Sequence, residues 1–166
     1  IRKTDVANLY LGPGNLESSE VEHETPQARM TGGGRAQSRF FTRMEAALSS
    51  VAGDYDVVVV DCPPQLGFLT MSALCSATAV LVTVHPQMLD VMSMCQFLIM
   101  TSDLLGVVAQ AGGNMGYDWM RYLVTRFEPG DGPQNRMVSF LGSVFGDHVS
   151  NYPMLKGTAI SDAGIT

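Results

Sequence analysis

One aspartate, Asp61, directly follows an apolar run and precedes two prolines, in the segment YDVVVVDCPPQLG at residues 55–67. Four consecutive valines are typical of a strand that is covered on both faces in a parallel sheet. A carboxylate at the end of such a strand can cap the next helix by accepting backbone N–H bonds. It can also act as a Walker B residue, which holds a water molecule of Mg²⁺ beside a phosphate-binding loop. Because prolines are tolerated at a helix start, the residues alone leave both interpretations open.

A third interpretation, in which Asp61 is the phospho-acceptor of a receiver domain, is excluded because the required lysine is absent. That chemistry needs an acidic pair at an earlier strand end and a lysine after a later strand. The chain has only two lysines, Lys3 and Lys156, and Lys156 lies in the wrong setting. We therefore reject this class of function.

Helices and strands are predicted to alternate along most of the chain. Helical patterns cover 38–51, 65–77, 88–111 and 136–146, and strand patterns cover 8–15, 54–61, 78–86, 119–127 and 149–155. The segment EPGDGPQN before the last helix is predicted to be a loop. This alternation predicts an α/β fold with a doubly wound, mostly parallel sheet. Ligands of such sheets bind beyond the carboxyl ends of the strands, which selects Asp61, His85-Pro86 and Thr125-Arg126.

Composition predicts one globular domain. The 166 residues are 46% hydrophobic and 16% charged, and the net charge of −6 opposes non-specific attraction of the whole chain to nucleic acid. The apolar runs are too short and too interrupted for a transmembrane helix, and no secretion signal is present, so we expect a cytoplasmic protein. The three cysteines, Cys62, Cys75 and Cys95, match no zinc pattern and are predicted to be buried reduced thiols.

Several long segments resemble one family. YDVVVVDCPPQLGFLTMSAL and TAVLVTVHPQMLDVMSMCQFL are similar to the ParA-type partition ATPases, which are relatives of MinD. The segments YDWMRYLVTRFEPGDGPQNRMVSFL, FGDHVSNYPMLKGTAISDAGIT and LGPGNLE resemble the RepA branch encoded by repABC-type plasmids. The resemblance covers nearly the whole chain and implies a fold of the P-loop NTPase type.

The resemblance also implies a function. Members of this family bind ATP and Mg²⁺ between the two subunits of a homodimer and hydrolyse ATP slowly. The ATP-loaded dimer binds DNA non-specifically, and a centromere-binding partner of the ParB/RepB type stimulates turnover. We therefore expect a plasmid segregation ATPase that associates with the nucleoid or plasmid and has no membrane partner.

By the same resemblance, residues 61–67 form the Mg²⁺ site and the switch that follows it. Asp61 would hold Mg²⁺ through water, and Gln65 and Gly67 would belong to the catalytic switch. Pro63 and Pro64 would lie beside the nucleotide.

The resemblance assigns three further groups to the nucleotide. His85, Pro86 and Gln87 would lie near the nucleotide or the subunit interface. Thr125 and Arg126 would end the strand that approaches the adenine, and Met154, Leu155 and Lys156 would cover the base from the other side. Relatives often carry Ile-Pro where this chain has Met154-Leu155.

The deviant Walker A loop of this family, a glycine-rich turn with two lysines, has no match in the sequence. Lys156-Gly157-Thr158 reverses the order Gly-Lys-Thr, and GGGR at 32–35 lacks the Lys-Ser/Thr pair and is interpreted as a linker. We expect the loop upstream of residue 1 and the closing helices after residue 166, so 1–166 would be a single incomplete domain, inactive in isolation. The alternative function is a non-enzymatic interaction or dimerisation module without nucleotide chemistry.

Overall fold

A computed structural model of the chain describes residues 1–14, 44–63, 66–110 and 116–158. The chain divides into two compact units, Ile1–Ser76 and Ala77–Thr166. The single domain over 1–166 remains a prediction.

The first unit begins with a short antiparallel ladder. Strand β1 (Arg2–Lys3) pairs with β2 (Tyr10–Leu11), which confirms the strand predicted within 8–15. The ring of Tyr10 packs edge-on against that of Tyr55, with 5.4 Å between the ring centroids. This contact joins the ladder to the segment that leads to the valine run.

Two helices follow in the first unit. Residues 44–49 form α1, within the helix predicted over 38–51, whose first part lies outside the described residues. Helix α2 (Phe68–Ser76) confirms the helix predicted over 65–77. Its residues Thr70–Ala73 are buried.

The structure of the valine run before Asp61 differs from the sequence prediction. Val57–Val60 belong to no strand, and their side chains are exposed by 75, 47, 86 and 43% in chain order. A central strand needs backbone partners on both edges and side-chain cover on both faces. No described residue provides either, so the prediction of a buried strand over 54–61 is wrong for this structure.

The second unit contains the larger sheet. Its elements are β3 (Ala79–Val84), α3 (Met88–Gln110), β4 (Trp119–Val124), α4 (Gly132–Phe145) and a 3₁₀ turn at Gly146–His148. The order β–α–β–α confirms the predicted α/β class, because parallel strands need a crossover and α3 provides it.

The strands of the second unit pair in parallel. Residues Ala79 to Val84 face Trp119 to Val124 one for one. The predicted last strand is present as two parallel bridges on the other side of β4, Tyr122 with Val149 and Phe127 with Leu155. β4 is therefore the middle of this sheet.

The core of the second unit lies on one face of the sheet. Alternate side chains of a strand point to the same face, and Tyr122 and Val124 share theirs with Val84. The ring of Tyr122 stacks on Phe145 of α4, with 4.2 Å between centroids. The most buried apolar side chains are those of Val84, Val91, Met94, Tyr122, Val124 and Leu141.

On the opposite face of this sheet, the described residues of the second unit leave apolar side chains exposed. Leu81 and Trp119 are 52% and 47% exposed, and with Arg121 and Leu123 they line a groove of about 450 Å³. The apolar run TAVLVTVHP at 78–86 predicts a buried strand, and this is wrong for the described residues, because they cover β3 on one face only. Strand pattern alone does not say whether a helix covers each face.

The start of α4 also differs from the prediction. The helix begins at Gly132, inside the segment 128–135 that the sequence predicts to be a loop. The side chain of Asp131 caps it by accepting the Gln134 N–H at 3.0 Å, and Pro133 occupies the first turn. An aspartate followed by a proline within the first turn is a helix-start signal, so the sequence contained this information.

Helix α3 is confirmed over nearly its predicted length. Val91 and Met94 pack into the core, whereas Met88, Leu89 and Met92 are exposed. Among the described residues, no helix combines the length and apolar character needed to span a membrane.

We expect Leu141→Ala to lower the free energy of unfolding by about 3 kcal/mol, because it removes a fully buried side chain and leaves a cavity. The neighbouring Phe140→Ala, at a side chain that is 50% exposed, is the control and should cost less than about 1 kcal/mol. Denaturant titration of both variants measures the difference. Equal losses would contradict the assigned core.

Candidate functional site

The carboxyl ends of β3 and β4 lie side by side. The two strands pair up to Val84 and Val124, and the Thr125 N–H donates to the Val84 carbonyl at 2.9 Å. This bond carries the ladder one residue beyond β4. His85 and Arg126 therefore follow adjacent strand ends, which is where ligands of parallel sheets are expected to bind.

A third segment joins the same edge. The Met154 N–H donates to the Val124 carbonyl at 2.8 Å, and the Met154 carbonyl accepts the Phe127 N–H at 3.0 Å. The Lys156 N–H donates to the Phe127 carbonyl at 3.0 Å. The structure thus brings the predicted group Met154, Leu155 and Lys156 alongside Thr125 and Arg126.

Arg126 has a strained backbone. Its φ is 54°, in the left-handed region that non-glycine residues rarely adopt. That conformation costs roughly 1–2 kcal/mol for an L-residue, and here the hydrogen bonds of Thr125 and Phe127 on either side hold it. Its side chain is exposed. Strain of this kind often marks a functional site.

Two polar residues at this edge were not found by sequence reasoning. Lys156 Nζ donates to Glu128 Oε1 at 2.9 Å, and the buried Gln134 accepts the Glu128 N–H on its side-chain oxygen at 3.0 Å. The spacing of Asp131 and Gln134 is a helix-capping signal that could have indicated Gln134. The pairing of Glu128 with Lys156 has no local signal, because the two residues meet only through the sheet.

The predicted group after β3, His85-Pro86-Gln87, is partly buried. The side chain of Pro86 is fully buried, and Gln87 is exposed. His85 Nδ1 lies 3.1 Å from Asp90 Oδ2, which fixes the ring against the first turn of α3. The Gln87 carbonyl accepts the Val91 N–H at 3.0 Å, so these residues also start that helix.

The first unit holds the Asp61 group. Asp61, Cys62 and Pro63 are exposed, and the half-buried Gly67 accepts the Met71 N–H on its carbonyl at 3.0 Å. Asp61 is therefore not locked into core packing. The predicted residues Pro64 and Gln65 lie outside the described residues.

The cysteines are free thiols, and one prediction about them is wrong. Cys75 and Cys95 are half-buried, but Cys62 is exposed as a residue. Partial burial of its sulfur, and then the neighbouring Asp61 carboxylate, raise the pKa of the Cys62 thiol. The pKa of Cys75 is raised by burial and then by Glu45.

Three comparisons with known proteins are informative about the family. The AAA_31 family model, described as an AAA domain, matches residues 1–106. The chain is 58% identical over its full length to a replication protein A of Rhizobium rhizogenes and 51% identical to that of Sinorhizobium fredii, and it spans 41% of each. A chromosome partitioning protein ParA of Myxococcus xanthus is 48% identical over 40 residues, 24% of this chain and 14% of that protein.

One similar solved structure is a cobyrinic acid a,c-diamide synthase from Mycobacterium smegmatis with a bound ATP analog and magnesium. It matches with a TM-score of 0.66 and 23% identity, over 89% of this chain and 55% of that one. At that identity the match shows the fold alone, an α/β architecture. The chain spans about two fifths of the length of the replication proteins that it matches.

We expect Asp61→Asn to lower the pKa of the Cys62 thiol without returning it to the value of a free cysteine, because burial is the larger cause. The thiolate is the reactive form, so the pH midpoint of Cys62 alkylation, followed by mass spectrometry, should move down. Asp56→Asn in the same segment is the control and should leave the midpoint in place. An unchanged midpoint in Asp61→Asn would contradict the assigned cause.

Proposed function

This chain belongs to the AAA_31 family and is related to the ParA-type partition ATPases and RepA, and from that premise we propose that it carries the base-binding and magnesium-binding residues of a plasmid partition ATPase. The whole protein would bind ATP and Mg²⁺ at a homodimer interface in the cytoplasm. A centromere-binding protein of the ParB/RepB type would stimulate hydrolysis, and the ATP-loaded dimer would bind nucleoid or plasmid DNA. These properties belong to the longer protein, because the chain spans 41% of such relatives.

The observation that carries the proposal is the meeting of three segment ends at one edge of the sheet. His85-Pro86-Gln87, Thr125-Arg126 and Met154-Leu155-Lys156 follow adjacent strands, and backbone hydrogen bonds of 2.8–3.0 Å join their segments. Parallel sheets bind ligands at this edge. We assign the base of the nucleotide to Thr125 and Arg126 on one side and to Met154, Leu155 and Lys156 on the other.

The residues present fit a magnesium ion that keeps most of its water. Asp61 is exposed, and a single carboxylate is enough when Mg²⁺ retains its hydration shell. Among the described residues, no group of three or more His, Cys, Asp or Glu side chains could hold a metal directly. When bound, the ion would neutralise charge on the phosphates. The role of Asp61 is to orient one of its waters.

The phosphates need groups that this sequence does not contain. No Gly-Lys-Ser/Thr motif occurs in the 166 residues. Each lost charge-assisted hydrogen bond is worth about 1.5–3 kcal/mol, and a phosphate loop supplies several. The 166 residues by themselves should therefore bind and hydrolyse ATP at background level.

One observation favours a second function, a non-enzymatic interaction module. The apolar side chains of Val57–Val60 are exposed in an unpaired segment, and such segments readily pair with another chain. Absence of ATP binding by the full-length protein would favour this alternative over the ATPase.

We expect the full-length protein to hydrolyse ATP in the presence of Mg²⁺ and Asp61→Asn to lower kcat by about 100-fold, the scale on which single electrostatic groups act in active sites. Phosphate release measures the rate. Asp56→Asn, the same substitution at an exposed aspartate five residues earlier, should keep wild-type turnover.

Two results would count against this assignment. Steady turnover by the isolated 166 residues would show that the missing phosphate loop is not required. Equal activity of Asp61→Asn and Asp56→Asn would remove Asp61 from the magnesium site.

A further inference from the structure

The loop between β4 and α4, residues 125–131, is fixed by a buried amide. Gln134 is 2% exposed, and its Oε1 accepts the Glu128 N–H at 3.0 Å. Its own backbone N–H donates to Asp131 Oδ1 at 3.0 Å, and its Nε2 lies 3.4 Å from Asp131 Oδ2. All three contacts join the first turn of α4 to the loop before it.

Helix capping explains only part of this arrangement. In a capping box, the glutamine three residues after the cap bonds back to the cap residue's own N–H. Here the cap is Asp131, but the Gln134 side chain reaches beyond it to Glu128. The Asp131 N–H instead donates to the Glu128 carbonyl at 2.9 Å. The conformation of the loop at Glu128 therefore depends on Gln134.

Glu128 in turn connects the loop to the neighbouring segment. Its Oε1 accepts a hydrogen bond from Lys156 Nζ at 2.9 Å, and the side chains are 47% and 57% exposed. An exposed ion pair contributes little to stability. Its effect is instead geometric, because it adds a side-chain link beside the backbone bond from the Lys156 N–H to the Phe127 carbonyl.

We propose that Gln134, acting through Glu128 and its pair with Lys156, is a positioning residue that holds the loop 125–131 and the segment 154–156 as a preformed cleft for the base of a nucleoside triphosphate. The inference rests on the proposed function. Arg126, with its left-handed backbone, lies two residues before Glu128 in the same loop. A cleft that is already ordered loses less conformational entropy when the ligand binds.

The test uses the full-length protein and two nucleotides, ATP and GTP, each with Mg²⁺, in equilibrium binding measurements. Gln134→Met keeps a similar side-chain length and removes the acceptor for the Glu128 N–H. We expect the affinity for ATP to fall about tenfold, as for the loss of one buried hydrogen bond. The preference for ATP over GTP should fall as well, because a loosened cleft discriminates between bases less well.

Two further variants separate positioning from folding. Ser139→Ala removes an exposed hydroxyl bond in the same helix, to the Asn135 carbonyl, and should leave affinity and preference unchanged. Glu128→Ala removes the acceptor for Lys156 Nζ at the exposed end of the network, and it should lower the preference for ATP even if Gln134→Met does not fold. It should do so with little change in Tm.

The outcomes are distinguishable. If the wild-type protein binds no ATP, the proposed function fails and the inference fails with it. If the wild type binds ATP without preference over GTP, only the base cleft is overturned. Gln134 has only a structural role if Gln134→Met folds and keeps its ATP affinity. The same holds if the variant lowers the affinities for ATP and GTP by the same factor. The same conclusion applies if Glu128→Ala keeps the wild-type preference.

Discussion

The in-register parallel pairing of β3 with β4 is the constraint on which the second unit depends. It places Val84 beside Val124, so both chains leave the sheet at the same edge and their next residues become neighbours. The segment 149–156 joins β4 in the same direction, which adds a third set of residues to that edge. A slip of one residue would turn Tyr122 and Val124 out of the core and move Arg126 away from Met154. Core packing and the candidate site therefore depend on one register.

The sequence was most informative where an element is defined by its own residues. Helix α3 and strands β3 and β4 have long apolar patterns, and the structure places them within about three residues of the predicted bounds. The prediction failed where the outcome depends on neighbours. Val57–Val60 have the composition of a central strand, but strand structure requires partners that composition cannot supply. The first turn of α4 lies inside a segment predicted to be a loop from its glycines and prolines, whereas the Asp131 cap starts the helix there.

The candidate site was predictable to a similar degree. The alternation of strands and helices is enough to select His85, Thr125 and Arg126, because ligands bind beyond the carboxyl ends of parallel strands. Met154, Leu155 and Lys156 follow only from the family resemblance. The role of Glu128 has no local signal, because its contacts join positions 6 and 28 residues apart in the chain, whereas Gln134 is indicated by its spacing from Asp131. Hydrophobic periodicity in the sequence indicates which face of a helix or strand is apolar. It does not indicate which polar atoms form hydrogen bonds between a loop and its neighbours.

The crossover through α3 has a consequence for biosynthesis. Forty residues separate Ala79 from its partner Trp119, so at 5–20 residues per second β3 is synthesised roughly 2–8 s before β4. A helix such as α3 forms within about a microsecond, and it is therefore available to cover one face of β3 long before the ladder closes. The described residues of the second unit leave the other face, with Leu81, exposed. The nascent chain passes through an aggregation-prone interval whose length is set by translation speed, and slow codons between 85 and 118 would prolong it.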